Sequence, residues 1–128
     1  MSKQIIVVID DEQSFCDVVG EILRSFGYEV YTAYNVEQAI PVLERIDPVL
    51  LVLDIMMPGI DGLTFIRHLR SRVRYADLPI IISSAKYTES DKATALEAGA
   101  SHYLPKPFSA GDLKQAIETV LHKDAIPR

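Results

Sequence analysis

Three apolar runs constrain this chain more tightly than any other feature: Ile5-Ile6-Val7-Val8-Ile9, Val49-Leu50-Leu51-Val52-Leu53 and Ile80-Ile81-Ile82. None alternates with polar residues, so none reads as a strand with one wet face. Strands buried on both faces belong to parallel sheets covered by helices on either side. The segments between them carry the spacing of such helices. Phe15, Val18, Val19, Ile22 and Phe26 recur at helical intervals before Gly27, and Phe65, Ile66, Leu69 and Val73 do so after Leu53.

Two more strands are expected. Residues 28–33 read as a polar, edge-type strand, and His102-Tyr103-Leu104 as a short one halted by Pro105, which a sheet edge tolerates. Asn35 with Gln38 is a capping-box signal for a helix that contains Pro41, where the missing N–H should bend it. Residues 93–98, closed by Gly99, form a short helix, and Leu113, Ile117, Val120 and Leu121 mark the last one. Pro58-Gly59 suits the centre of a type II turn. Five strands alternating with five helices predict an α/β fold: a doubly wound, five-stranded parallel sheet of flavodoxin-like order 2-1-3-4-5, with helices on both faces.

At 128 residues the chain is expected to be a single domain, with a core over about 4–122 and a short tail, 123–128. A net charge of −5 argues against nucleic-acid binding, which needs a basic surface. Cys16 stands alone, so the fold needs no internal disulfide; it reads as a small core residue. The apolar runs are too short to span a membrane, and Met1-Ser2-Lys3-Gln4 leads into a strand without a signal peptide. The expectation is a cytoplasmic protein.

The chemistry lies at the ends of the runs. Asp10-Asp11 ends the first and Asp54 the second. Order 2-1-3-4-5 makes these strands neighbours at the switch point, where ligands of such sheets bind. Three carboxylates there repel one another unless something positive lies between them, so the arrangement calls for a divalent cation or a reactive carboxylate. Ser84, after the fourth strand, and Lys106, after the fifth, should lie beside them.

Together with Met57-Pro58, Asp61-Gly62, Ser84-Ala85 and Lys106-Pro107-Phe108, these acids make the chain resemble, along its whole length, a response-regulator receiver domain of two-component signalling, in the CheY-like superfamily. The resemblance implies that Asp54 is a phosphoacceptor, modified by a phosphohistidine of a sensor histidine kinase or histidine phosphotransfer protein. It implies Mg²⁺, replaceable by Mn²⁺, held by Asp11, Asp54 and the backbone carbonyl of Met56, with Asp10 acting through water. Lys106 and Ser84 would hold phosphoryl oxygens. Ser84 and Tyr103 would form a switch in which Tyr103 turns inward, altering the helix 4–strand 5–helix 5 face for a downstream effector. The Lys106-Pro107 bond would be cis. Such a module acts only on itself and is no enzyme in the usual sense.

Met56 and Lys86 stand where the family tunes the lifetime of the phosphoryl group; an apolar and a cationic side chain predict slow self-dephosphorylation. Ser101, His102 and Ala116 stand where dimerising transcription-factor receivers carry charged partners, so the resemblance does not carry that dimer over and leaves the oligomeric state open. The 123–128 tail is too short for a DNA-binding segment, so the expectation is either a stand-alone receiver or a receiver taken from a larger protein. His68 and His102 read as surface residues, and Arg67, Arg70, Arg72 and Arg74 as a solvated face. The alternatives are a Mg²⁺-dependent phosphohydrolase of haloacid-dehalogenase type, a flavin- or nucleotide-binding module, and a non-phosphorylated scaffold. The first needs a general acid two positions after Asp54, where Met56 stands. The second needs glycines and N–H donors where the first loop has acids. The third has no need of the full set of acceptor, acids, hydroxyl and lysine present here.

Overall fold

In the computed structural model, residues 3–57, 61–85 and 88–122 are described. The Pro58-Gly59 turn, Lys86 and the 123–128 tail lie outside the described residues. The strands are β1 (Ile5–Ile9), β2 (Glu29–Ala33), β3 (Leu50–Leu53), β4 (Ile80–Ser84) and β5 (His102–Pro105). They pair in parallel in the order β2-β1-β3-β4-β5, as the apolar runs predict. Each of the central strands β1, β3 and β4 is buried almost throughout.

The helices are α1 (Gln13–Ser25), α2 (Val36–Arg45), α3 (Gly62–Arg70), α4 (Glu89–Ala98) and α5 (Ala110–His122). Because successive side chains of a strand point to opposite faces, each strand feeds two cores. Ile6, Val8, Leu50, Val52 and Ile81 meet Cys16, Val19 and Leu23 of α1 and Leu113, Ile117 and Val120 of α5. Val7, Ile9, Leu51, Leu53 and Ile82 meet Val36 and Leu43 of α2, Phe65, Ile66 and Leu69 of α3, and Ala95 of α4.

The helix starts are set by side chains. Asn35 accepts from the Gln38 N–H at 2.8 Å, and the Gln38 side chain reaches back to the Tyr34 N–H at 2.9 Å, one residue before the expected partner. α2 continues across Pro41, which faces solvent.

Several expectations fail at helix edges. On α1 the buried stripe runs through Cys16, Val19, Gly20 and Leu23, while Val18 is 57% exposed. α3 stops at Arg70, so Val73 falls in a separate 3₁₀ turn, Val73–Tyr75, and is 97% exposed. α4 begins four residues earlier than its apolar pattern indicates, capped by Thr88, whose Oγ1 accepts from the Asp91 N–H at 3.1 Å. The arginines are not merely solvated. Arg70 donates to the carbonyls of Gly99 and Tyr75, and Arg74 to those of Glu44 and Ile46 and to the Asp47 carboxylate. His68 is exposed as expected, whereas His102 is half-buried, and burial, with help from Lys92, depresses its pKa.

Candidate functional site

The sheet ladder continues one residue past β1 and β3. The Asp10 N–H donates to the Ala33 carbonyl and the Asp54 N–H to the Ile9 carbonyl, each at 3.0 Å. Backbone pairing alone therefore holds both acids at the carboxyl edge, on neighbouring strands. A third bond, from the Lys106 N–H to the Ser84 carbonyl at 2.8 Å, fixes the lysine at the end of β5. The loop after β3 is held close by Gly62: a Cβ there would sit 2.7 Å from the Ile55 Cα. No larger residue fits without moving the loop that follows Asp54.

Asp10 and Asp54 are buried, at 1% and 6% exposure, while Asp11 opens to solvent. One carboxylate oxygen from each of the three lies within 4.8 Å of the others. The Lys106 ammonium bridges the two buried acids, 2.7 Å from Asp10 Oδ2 and 3.3 Å from Asp54 Oδ2. The other oxygens are also used: Asp10 Oδ1 accepts from the Glu12 N–H at 2.9 Å, and Asp54 Oδ1 from the Met56 N–H at 2.8 Å. Burial raises the pKa of Asp10 against the opposing pull of Lys106. Burial would lower that of Lys106, but its hydrogen bond and charge pairing with Asp10, and then with Asp54, carry it upward. The lysine stays charged, and three carboxylates against one ammonium leave two negative charges uncompensated.

That deficit matches one divalent cation. The three converging donors are all carboxylate oxygens, the ligand type of Mg²⁺, and the exposed Asp11 leaves the approach to solvent open. The residues present fit such an ion. Cys16 does not compete for it: its Sγ is buried and turned to the Asp10 carbonyl at 3.4 Å. Burial, then the nearby Asp10 and Asp17, push its thiol up to about 11.

Ser84 is fully buried and shares a hydrogen bond with Tyr103, itself only 5% exposed. Tyr103 thus already lies inward and touches Ser84 directly. The Lys106-Pro107 bond is cis. Two neighbours of the lysine escaped the sequence reading. Glu12 Oε1 lies 3.8 Å from its ammonium, and the Phe15 ring centroid 4.0 Å away. Glu12 was visible as the residue following the acid pair; Phe15 was visible only as a helix-face residue.

The family model of the response regulator receiver domain matches residues 6–118. The chain belongs to that family. The probable transcriptional regulator ycf27 of Porphyridium aerugineum is 41% identical over 123 residues, covering 96% of this chain and 50% of that protein. The chain spans about half the length of this curated relative. Among solved structures, the chemotaxis protein CheY4 of Vibrio cholerae superposes with a TM-score of 0.88 at 26% identity, over 94% of this chain and all of that one. The receiver domain of the sensor histidine kinase PA1611 of Pseudomonas aeruginosa does so with a TM-score of 0.84 at 28% identity, over 94% of this chain and 98% of that one. Its active-site cleft holds a coordinated magnesium ion. Among the described residues, no helix is long and apolar enough to cross a membrane.

Proposed function

We propose that this receiver domain is switched by transfer of a phosphoryl group to Asp54 from a phosphohistidine of a sensor kinase or phosphotransfer protein. The observation that carries the reading is the convergence of three carboxylates within 4.8 Å, two of them bridged by one half-buried ammonium. A structural ion pair needs one acid for one lysine; the surplus acids are explained by a cation and a nucleophile.

Asp54 Oδ attacks phosphorus as the P–N bond breaks, and the electron pair returns to the donor imidazole, which keeps or takes up a proton. Such transfer depends on positioning and on neutralising the phosphoryl oxygens. Asp11, Asp54 and the Met56 carbonyl would hold Mg²⁺, with Asp10 acting through water. The bound ion would supply charge compensation for the three carboxylates and the incoming dianion. Lys106 offers its ammonium to one phosphoryl oxygen and Ser84 its hydroxyl to another. The donor would approach along the groove of about 220 Å³ beside Lys106, walled by Phe15, Val18, Ile22 and Phe108.

Because Ser84 and Tyr103 are hydrogen-bonded, drawing Ser84 to a phosphoryl oxygen breaks or reshapes that bond. The change then reaches the larger groove between β5 and α5, lined by His102, Pro105, Gln115 and Ala116, for a downstream effector to read. In this reading the protein catalyses only its own modification.

The test is incubation with Mg²⁺ and acetyl phosphate, followed by intact mass measurement. Wild type should gain one phosphoryl group and Asp54→Asn none. Equal modification of Asp54→Asn, or no modification of wild type, overturns the assignment.

A further inference from the structure

We infer that Phe15 is a positioning residue for Lys106, seating its ammonium against the acid pair so that the charge is already aimed when a phosphoryl group arrives. The inference deepens the reading of Asp54 as phosphoacceptor and rests on it. The Lys106 Nζ lies 4.0 Å from the centroid of the Phe15 ring, well within range of a cation–π contact. Its other partners are Asp10 Oδ2 at 2.7 Å, Asp54 Oδ2 at 3.3 Å and the outlying Glu12 Oε1 at 3.8 Å. The ammonium is therefore held between two buried carboxylates and an aromatic face. The lysine side chain is 14% exposed, so the contact is largely desolvated, where cation–π attraction is strongest.

The ring is itself held. Phe15 stands in the first turn of α1, and Phe108 meets it edge to face, with centroids 5.8 Å apart and planes at 88°. Phe108 follows the lysine by two residues, so one loop carries both the cation and the buttress of its aromatic seat. A lysine is a point charge on a flexible stem and loses rotamer entropy when ordered. The aromatic face attracts the ammonium without adding a formal charge and without accepting one of its strong hydrogen bonds. It confines the ammonium while leaving it free to turn from carboxylate to phosphoryl oxygen. A carboxylate in the same place would hold the lysine back.

The test compares phosphorylation by acetyl phosphate, at saturating Mg²⁺, of wild type, Phe15→Leu, Phe15→Tyr and a protein with trifluorophenylalanine at position 15. This donor is too small to need the groove that Phe15 walls. Phe15→Leu keeps an apolar side chain and loses the π face; its rate constant should fall about three- to tenfold, the range expected for a partly desolvated cation–π contact. The fluorinated ring keeps shape and packing but cancels the negative face, so it should slow the reaction similarly. Phe15→Tyr should recover to within about twofold. In wild type the Lys106 ε-CH₂ protons should carry an upfield ring-current shift that disappears in Phe15→Leu. If wild type reacts and the fluorinated and leucine proteins keep pace with it, the inference is overturned while the Asp54 reading stands. If wild type gains no phosphoryl group, both fall.

Discussion

Ser83 and Ser84 are adjacent on β4 and both are fully buried, yet removing their hydroxyls should move stability in opposite directions. Ser83 lies on the face shared with Ile81, under α1 and α5, and its Oγ has no hydrogen-bond partner among the described residues. Ser84 lies on the other face and is hydrogen-bonded with Tyr103. Burying a hydroxyl without a partner costs about 1–3 kcal/mol on mutational scales. Ser83→Ala removes that penalty and leaves a void of one oxygen atom, worth about 0.3 kcal/mol at the usual cavity coefficient. The net expectation is stabilisation by about 0.7–2.7 kcal/mol, or a rise in Tm of about 3–10 °C for a chain of this size. Ser84→Ala instead removes a hydrogen bond shared with Tyr103 and should destabilise by about 0.5–1.5 kcal/mol. Urea unfolding followed by circular dichroism, in chelator, reads both values, and the m-values should match wild type so that the shifts reflect stability alone. If Ser83→Ala is destabilised, or both variants shift with the same sign, the reasoning from hydrogen-bond satisfaction is wrong.

Three further outcomes follow from the same geometry. Gly62→Ala brings a Cβ within 2.7 Å of the Ile55 Cα, so thermal melts should show a loss of about 1–3 kcal/mol, as for other overpacked sites. Asp11→Asn removes a like charge that has no cation beside it in the ion pairs described; metal-free protein should melt higher than wild type in low salt, the difference should shrink in high salt, and Mg²⁺ should raise its Tm less. His102 has a folded pKa below its ordinary value of 6.5, so the unfolded chain takes the proton first and stability falls as pH drops through that value. His102→Gln should therefore gain on wild type in urea midpoint between pH 8 and pH 5, and a constant difference across that range would refute the assignment.

What could be read from the chain is what one periodicity carries alone. The unbroken runs at Ile5, Val49 and Ile80 had no other use than buried parallel strands, and strand order placed Asp10 and Asp54 side by side. Helix limits were harder. Glu89, Ser90, Asp91 and Lys92 present nothing apolar to a core, so periodicity was silent over the first turn of α4, and only the Thr88–Asp91 cap marked its start. Val18 and Val73 fit a helical stripe by spacing but fall outside the buried one, because spacing alone does not say which way a helix is rotated or where it ends. Arg70 reads as a surface charge until Gly99 and Tyr75, distant in sequence for the first, bring their carbonyls to it. Phe15 looked like packing for the same reason: its partner, Lys106, lies at the far end of the chain.

The site is built so that its charge balance is left incomplete by the fold itself. Lys106 is fixed at the end of β5 by its backbone bond to Ser84 and lies between Asp10, Asp54 and the Phe15 ring, so its ammonium neutralises part of the cluster. Its ammonium gives the two buried acids a partner, without which burying them would be prohibitively unfavourable. It does not balance the third. Asp11 faces solvent, where its charge is hydrated at little cost, and there it adds to the negative potential that the cluster presents on that side. Burial and exposure thus divide the labour among three chemically identical groups. Two are buried and share one lysine, and the third stands in solvent at the mouth of the same cluster.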